Sequence, residues 1–540
     1  MTGEVPRVVG LDYLIENARI VDGTGAPWFR GAVGIREGEI ACVDRNRPVD
    51  RDADERVDAD GNVVCPGFID THSHADITLL EEPLLEPKTR QGVTTELVGP
   101  DGFSMAPMYR EGGAEEWAGH LRGLVGKTDT DWAWGSVGDY LDAVDERGPA
   151  PNVATYVGHG TIRFNVMGMA DRAPTTEELE EMADLVTEGL EDGAVGFSTG
   201  LVYSPHTVAT TEEVRTLAER CAPFGRPFRA HIRSEGRNVW EALDEFVDIG
   251  ADADVPIHLD HYKLAGPDQQ GKADWSNTLI EVARERGVDF TVEQYPYTAG
   301  NTVLSAVLPA WVHAEGPDQA LAYLRDEEAR DRIRRDIEEW RIEGWENQGA
   351  RTGWENIVVA NIEAPEFADY EGDSVADIAA ERDAHPVDVV CDLLVADELG
   401  VAMILHAMAE EDVRAFLTNE RVNVATDSLF GGKPHPRTFG TYPRILGYYV
   451  REEHLLTLEE AVRKMTSLPA RAMGMQNRGV VREGMAADLV VFDPYLVETR
   501  ATFEEPRQYP SGIPHVLVNG EFVVRDGEIT GDRPGRTLRM

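Results

Sequence analysis

The stretch Gly67-Phe68-Ile69-Asp70-Thr71-His72-Ser73-His74 ends a short apolar run with two histidines that are two residues apart. On a β-strand, side chains at positions i and i+2 lie on the same face, so both imidazoles can reach one metal ion. Two surface histidines at this spacing also arise by chance. Here the pair follows directly on a predicted strand and a Pro-Gly turn signal, and this context favours a metal site.

The middle of the chain alternates short apolar strands with helical stretches, which is typical of a parallel α/β array. The predicted strands end at eight residues: His74, Gly99, Gly158, Thr199, His231, His261, Tyr295 and Asp427. Eight strand–helix units predict an α/β fold, the TIM barrel (β/α)8, for residues 67–476. Residues from about 310 to 415 are too many for one connection and predict an inserted lid over the barrel mouth.

The two ends of the chain resemble each other in pattern. Residues 11–60 contain short β-type segments such as AVGI at 32–35. Residues 478–530 also contain short β-type segments, together with the hairpin signal VNGE at 518–521. Two β-rich ends that bracket a long middle suggest a composite domain. We therefore expect residues 1–66 and 477–540 to form one small β-sandwich-like domain.

Polar residues fall at the predicted C-terminal ends of the barrel strands, where the active sites of this fold form. The candidate metal ligands are His72, His74, Asp101, His231, His261 and Asp427. Neutral imidazole and carboxylate are suitable zinc ligands, and a catalytic zinc site keeps one position for water. Zinc lowers the pKa of that water towards about 7, and Asp427 is the expected base and catalytic residue.

Several longer motifs make a family resemblance specific. They are VVCPGFIDTHSHAD, GFSTGLVYSP, HIRSEG, EQYPYTAG, GKPHPRTFGTYPRIL and MTSLPARAMG followed by RGVVREGMAADLVVFDP. Through them the chain resembles the N-acyl-D-amino-acid deacylase (D-aminoacylase) family of the amidohydrolase superfamily over nearly its whole length. The resemblance implies zinc at His231 and His261, a second and weaker site near His72 and His74, and Asp427 as acid/base.

One position departs from the family pattern. Many members carry a cysteine ligand in the turn after the second strand, and this chain has Asp101 there, in GPDGFS. A carboxylate can bind or bridge zinc, but an oxygen ligand is harder and less selective, which leaves metal identity and number open. The fourth-strand segment GAVGFSTGL contains no lysine, which argues against the carboxylated-lysine bridge of hydantoinases and dihydroorotases.

An N-acyl amino acid has a free carboxylate, so its pocket needs a cation and hydrogen-bond donors. Lys263 lies two residues after His261, and the resemblance implies that it contacts this carboxylate together with Tyr203 and Tyr295. Ordinary packing at strand ends is the alternative for the two tyrosines, and a surface position is the alternative for the lysine. Arg233 and Arg437 are further basic candidates.

The residues leave three functional hypotheses. The leading one is a zinc hydrolase that cleaves N-acyl-D-amino acids into a carboxylate and a free D-amino acid. The second is an amidohydrolase acting on a cyclic amide or a dipeptide, similar to dihydroorotase, hydantoinase or isoaspartyl dipeptidase. The third is an inactive barrel kept as a scaffold, which predicts the loss of at least one metal or proton-transfer residue.

Composition limits the classes of partner and compartment. Asp and Glu number 98 against 51 Lys and Arg, and the net charge of −47 repels nucleic acid and anionic membranes. We therefore expect a small-molecule substrate and neither of those partners, and homo-oligomerisation stays open. No apolar run reaches the roughly 20 residues that cross a membrane, and no signal peptide is evident. Four cysteines without CxxC spacing indicate a reducing cytoplasm.

The charge also predicts a response to salt. The carboxylates are dispersed and only six lysines are present, which is typical of a cytoplasmic protein from a halophile. The Debye length falls from about 30 Å at 0.01 M to about 3 Å at 1 M salt, so added KCl screens the repulsion between carboxylates. We expect a melting temperature that climbs with KCl and slow inactivation at low salt. A melting temperature that stays flat up to molar KCl would contradict the habitat inference.

Overall fold

The structure is a computed structural model that describes residues 10–45, 51–132 and 134–540. Strands occur throughout these ranges. They are β1 Leu11–Ile20, β2 Phe29–Arg36, β3 Glu39–Arg45, β4 Ala53–Asp58, β5 Val63–Pro66, β6 Phe68–Asp70, β7 Val93–Val98, β8 Asn152–Thr155, β9 Val157–Gly158, β10 Phe197–Gly200, β11 Phe228–His231, β12 Ile257–Leu259, β13 Phe290–Gln294, β14 Gly300–Val303, β15 Ile357–Asn361, β16 Ala402–Leu405, β17 Val422–Val424, β18 Leu489–Phe492, β19 His515–Val518, β20 Glu521–Arg525 and β21 Glu528–Ile529.

Helices follow most of the strands between β6 and β18. They are Thr78–Glu81, Glu86–Thr89, Gly113–His120, Arg122–Val125, Val137–Arg147, His159–Met167, Thr176–Glu191, Thr211–Ala218, Val239–Ala253, Ala273–Glu285, Ala310–His313, Pro317–Arg325, Glu327–Glu338, Gln348–Thr352, Val375–Arg382, Pro386–Ala396, Glu410–Thr418, Arg437–Arg444, Leu458–Met465 and Ser467–Ala472. Within the described ranges, no helix has the length and apolar character to span a membrane.

The helix Thr176–Glu191 illustrates how the sequence sets these elements. The Thr175 side chain accepts a hydrogen bond from the Glu178 N–H at 3.2 Å, and the Glu178 carboxylate accepts one from the Thr175 N–H at 2.7 Å. This capping box starts the helix. Met182, Val186 and Leu190 are buried on one face, so the acidic residues between them remain on the outside.

The barrel strands are parallel and close into a ring. Hydrogen bonds order them as β6-β7-β8 and β9-β10-β11-β12-β13-β17, and β8 and β9 are separated by a single residue. The ring closes where the Asp427 N–H donates to the His72 carbonyl at 2.9 Å and the His74 N–H donates to the Ser428 carbonyl at 3.2 Å. The predicted TIM barrel is confirmed, with a strand ending at or near each of the eight predicted residues.

Buried polar side chains support the join between β17 and β6. The Lys88 ammonium contacts the Asp70 carboxylate and lies 3.0 Å from Ser428 Oγ, while Asp70 accepts a hydrogen bond from the Thr426 N–H at 2.9 Å. Lys88 is completely buried, and a buried cation is stable only with such partners. One of the six lysines therefore contributes to closing the barrel.

The two ends of the chain share one sheet. Its order is β21-β20-β19-β18-β5-β1-β2-β3, with β4 paired to the N-terminal part of β1 on the edge that β5 also uses. Apolar residues from β1, β2, β5, β18 and β19 form a core of their own on one face. The expected sandwich is thus a continuous nine-stranded sheet that encloses its own core. The boundaries 1–66 and 477–540 stay a prediction, and residues 1–9 and 46–50 lie outside the described ranges.

The inserted unit begins earlier in the chain than the sequence predicts. β14, β15 and β16 form an antiparallel sheet, and the helices between them pack into a separate apolar core. The unit therefore begins at Gly300 rather than near 310. It ends before the helix Glu410–Thr418, which packs against the barrel strands β13 and β17. β14 was missed because its sequence GNTV is largely polar and partly exposed.

Candidate metal centre

The structure brings the six predicted ligands together at the C-terminal ends of the barrel strands. His72 and His74 follow β6, Asp101 follows β7, and the others come from the ends of β11, β12 and β17. All six side chains are buried. Parallel strands place their carboxyl ends on one side of the barrel, which explains how residues so distant in sequence meet. Their role as ligands stays a prediction.

One set of donors contains His72, His74, Asp101 and Asp427. Asp101 Oδ2 lies 3.4 Å from His72 Nε2 and 3.5 Å from His74 Nε2. Asp427 Oδ1 lies 3.5 Å from each of the same two nitrogens. Two nitrogens and two oxygens therefore converge on one point.

A second set contains Asp101, His231 and His261. The other oxygen of Asp101, Oδ1, lies 3.3 Å from His261 Nε2 and 4.0 Å from His231 Nδ1. The two imidazole nitrogens are 2.9 Å apart. Asp101 thus directs one oxygen to each set and joins the two positions.

These donors fit a divalent metal. Ligands at 2.0–2.1 Å from a tetrahedral zinc ion are about 3.3–3.4 Å from one another, close to most of the separations here. Among the described residues, His72 Nε2 and Asp101 Oδ1 are buried without a hydrogen-bond partner. Buried polar atoms without partners are unfavourable, and a bound cation would satisfy both.

The charges in the site also favour a bound metal cation. Burial would lower the pKa of His72, but Asp101, Glu293 and Asp427 raise it to about 9. Burial would raise the pKa of Asp101, but the neighbouring imidazoles hold it well below its usual range. Burial lowers the pKa of His231 to about 3, which keeps this imidazole neutral. The carboxylates that favour a proton on His72 also favour a metal cation in its place.

A second layer of polar residues orients His72. Its Nδ1 lies 2.5 Å from Glu293 Oε1, and Arg229 contacts Glu293 at 2.6 Å and Asp260 at 2.7 Å. A carboxylate on the outer nitrogen of an imidazole fixes the tautomer and leaves Nε2 for the metal. His72, Asp260 and Glu293 also cluster closely, but the Arg229 guanidinium already pairs with both carboxylates.

Three of the six candidate ligands have left-handed backbone conformations. The φ angles are +55° at Asp101, +27° at His261 and +51° at Asp427. Such conformations cost of order 1–3 kcal/mol each outside glycine and persist where surrounding structure holds them. His206 contributes to this support, because its Nε2 lies 3.0 Å from the Asp101 carbonyl oxygen.

The other histidines near the barrel have structural partners. His159 lies 2.9 Å from Thr199 Oγ1 and 3.1 Å from a Glu213 oxygen. His258 lies 2.8 Å from Thr291 Oγ1 and 3.1 Å from Glu293 Oε2, and it is completely buried in the barrel wall. Neither of them is a member of the donor sets found among the described residues.

A pocket of about 500 Å³ opens above the donor sets. The predicted substrate residues Lys263, Tyr203 and Tyr295 line it, and the inserted unit contributes Arg351 and Gln348. The insertion therefore covers the barrel mouth, as a lid would. Arg351 and Gln348 were not candidates, because nothing in the sequence of the insertion indicates which of its residues face the barrel.

The two remaining arginine candidates lie elsewhere. Arg437 is buried beneath the pocket, where its Nη1 lies 2.8 Å from Asp427 Oδ2. Arg233 points away from the pocket and contacts Glu245 at 3.0 Å and the carbonyl oxygens of Thr207 and Ala209. Arg233 therefore lies outside the lining of the pocket.

Glu235 was not recognised as a functional candidate. Its buried carboxylate lies 2.6 Å from Lys263 Nζ, 3.2 Å from His261 Nδ1 and 3.5 Å from His231 Nε2. The only available signal was its place in the motif HIRSEG, four residues after His231.

Comparisons with known proteins agree with this geometry. The family model described as the amidohydrolase family matches residues 55–524. The chain is 37% identical over 530 residues to the N-acyl-D-glutamate deacylase of Alcaligenes xylosoxydans xylosoxydans, covering 98% of this chain and 96% of that protein.

Two solved structures are similar over nearly their whole length. A D-aminoacylase structure that addresses a binuclear metal centre, with one-metal activation and second-metal attenuation, has a TM-score of 0.83 at 33% identity. It covers 98% of this chain and 100% of that chain. The N-acyl-D-glutamate deacylase of Bordetella bronchiseptica, complexed with zinc and a phosphonate mimic of the tetrahedral intermediate, has a TM-score of 0.83 at 34% identity, with the same coverage.

Proposed function

The chain belongs to the amidohydrolase family, and we propose that it hydrolyses the amide bond of N-acyl-D-amino acids in a zinc-dependent reaction. The products are a carboxylate and a free D-amino acid. The observation that carries the proposal is the pair of donor sets joined by Asp101, directly beneath a pocket that contains Lys263. We assign one tight zinc position to His231, His261 and Asp101, and a weaker one to His72, His74, Asp101 and Asp427.

Zinc, when bound, polarises the amide carbonyl and lowers the pKa of water towards about 7. The Asp427 carboxylate is then the group that accepts and releases the proton. Its Oδ2 is held by Arg437 at 2.8 Å, so Oδ1 is the oxygen directed towards His72 and His74. We assign to Asp427, with the weaker metal position empty, the transfer of a proton from the attacking water to the leaving amine nitrogen, which balances the cleavage of the C–N bond.

Lys263 and Tyr295 are suited to the substrate carboxylate. The Tyr295 hydroxyl is buried and has no hydrogen-bond partner within the described part of the chain. Lys263 Nζ lies 5.8 Å from the centre of the Tyr295 ring, so an ammonium and a free donor flank the same space. Tyr203, whose hydroxyl is 3.0 Å from Thr302 Oγ1, also lines the pocket.

The alternatives have less support in the site. The carboxylated-lysine bridge of hydantoinases and dihydroorotases needs a fourth-strand lysine, and β10 consists of Phe197, Ser198, Thr199 and Gly200. An inactive scaffold predicts a missing ligand or base, and all six candidate residues are present and buried.

The direct test is a kinetic screen of N-acetyl-D- and N-acetyl-L-amino acids with metal analysis of the same preparation. We expect turnover of D-substrates and stoichiometric zinc. Turnover confined to dihydroorotate, hydantoins or dipeptides would refute the linear-amide assignment. Zinc-free protein with full activity would refute the metal assignment. The screen also determines which side chain and acyl group the pocket prefers.

Exchanging Asp101 tests its bridging position. Asp101→Ala removes both oxygens, so we expect weaker metal binding and at least a tenfold loss of activity, because loss of even an outer-shell partner of a metal ligand typically costs about 10–100-fold. Asp101→Cys should preserve much of the activity, because a thiolate is also a good zinc ligand. Metal content by mass spectrometry and steady-state kinetics measure both effects. If Asp101→Ala behaves as wild type, the carboxylate is not a ligand.

We also propose a cytoplasmic setting in a salt-rich cell. The support is the net charge of −47 with only six lysines. The four cysteines lie buried and unpaired in the described structure, as expected where thiols stay reduced.

A further inference from the structure

The Glu235 carboxylate is enclosed by three functional groups. His261 Nδ1 lies 3.2 Å from its Oε1, His231 Nε2 lies 3.5 Å from its Oε2, and Lys263 Nζ lies 2.6 Å from Oε1. Glu235 is only 6% exposed. A buried carboxylate is expensive to desolvate and persists where partners neutralise it.

The atoms that face Glu235 are the outer nitrogens of both imidazoles. The opposite nitrogens, His261 Nε2 and His231 Nδ1, belong to the donor set with Asp101. A neutral imidazole that gives one lone pair to a metal carries its proton on the other nitrogen. Both outer nitrogens then become donors, and Glu235 offers each of them a separate oxygen.

Lys263 is a third donor that needs an acceptor at the same place. Its Nζ lies 2.8 Å from His261 Nδ1, and an ammonium can only donate. Once Nδ1 carries a proton, it cannot accept from Lys263. Both groups must then donate to Glu235 Oε1, which is within 3.2 Å of each. One carboxylate therefore positions two metal ligands and the cation that we assign to substrate binding.

We propose that Glu235 is a positioning residue that fixes the tautomers of His231 and His261 and holds Lys263 over the same metal position. The inference rests on the proposed zinc assignment of those two histidines. It goes further by linking metal affinity to the placement of the substrate cation through one side chain.

The test is the zinc affinity of Glu235→Gln, measured by competition with a chromophoric chelator. The amide keeps the size of the side chain. It replaces one carboxylate oxygen, an acceptor, by an NH2 group, and this donor would face the N–H of an imidazole or the ammonium of Lys263. Loss of such a partner lowers metal affinity by about 10–100-fold, and we expect that range here together with a raised KM. Glu235→Asp keeps the charge and should recover part of the zinc affinity.

Two further variants separate positioning from general damage. Glu213→Gln alters an equally buried glutamate that pairs with His159 at 3.1 Å outside the donor sets. Its zinc affinity should equal that of wild type even if its melting temperature falls. Lys263→Met should raise KM but leave zinc affinity closer to wild type than Glu235→Gln does.

The outcomes distinguish a failure of the Glu235 inference from a failure of the zinc assignment on which it rests. If wild type binds zinc and His261→Ala does not, while Glu235→Gln binds it within about threefold of wild type, the positioning role is refuted and the metal site stands. If neither wild type nor any variant binds zinc, the metal assignment itself is refuted. Should Glu235→Gln misfold, the zinc affinity of a folded Glu235→Asp decides, because wild-type affinity with no shift in KM would again exclude the role.

Discussion

Replacing Asp427 by asparagine is expected to lower turnover by about 10²–10⁴-fold, the usual contribution of a general acid–base group. Asparagine is nearly isosteric, so the fold and the zinc at His231 and His261 should remain. The amide cannot accept the proton that Asp427 Oδ1 is assigned to carry. Single-turnover kinetics with parallel metal analysis measure the effect.

Asp412→Asn is a suitable control for the loss of a buried carboxylate. Asp412 is 2% exposed and accepts hydrogen bonds from the Gly271 and Ala273 N–H groups, away from the pocket. We expect lower stability in this variant but near-normal turnover. Asp427→Asn enzyme that retains more than about a tenth of wild-type turnover would remove Asp427 from the base role.

The second large effect is expected at His231 and His261. Either residue changed to alanine leaves too few donors to hold the tight zinc, so bound zinc should drop by about one equivalent per chain and activity should fall to background. Mass spectrometry for metal and a hydrolysis assay on the same samples measure both quantities.

His159→Gln provides the comparison for these variants. His159 is also buried and also pairs with a glutamate, but it belongs to neither of the two assigned donor sets. It should keep wild-type zinc content. Full metal content in both His231→Ala and His261→Ala would overturn the assignment of this position.

The barrel was predictable because parallel strands buried on both faces form short apolar runs. β7 and β13 are buried at every position, and the segment directly after each contains a predicted site residue, Asp101 after β7 and Tyr295 after β13. The start of the insertion was not predictable, since β14 pairs only within the antiparallel sheet of that unit and lacks an apolar run. Its pairing depends on β16, about a hundred residues further along the chain.

The six candidate ligands could be predicted because each ends a strand or follows one by at most a few residues. The direction in which a side chain points within the irregular segment after a strand could not be predicted. Arg233 lies two residues after His231, but β11 ends at His231 and the two-residue alternation ends with it. Glu235 lies in the same irregular segment, and only the tertiary structure brings its carboxylate back against both imidazoles.

The left-handed backbone at Asp101, His261 and Asp427 has a consequence for protein engineering. Stabilisation schemes that score each residue against its local backbone conformation would prefer glycine or asparagine at these positions. Such schemes would therefore select against the catalytic machinery at three separate strand ends. A heat-stable version of this enzyme is better sought in the terminal sheet and the inserted unit, with the barrel mouth held constant throughout the design.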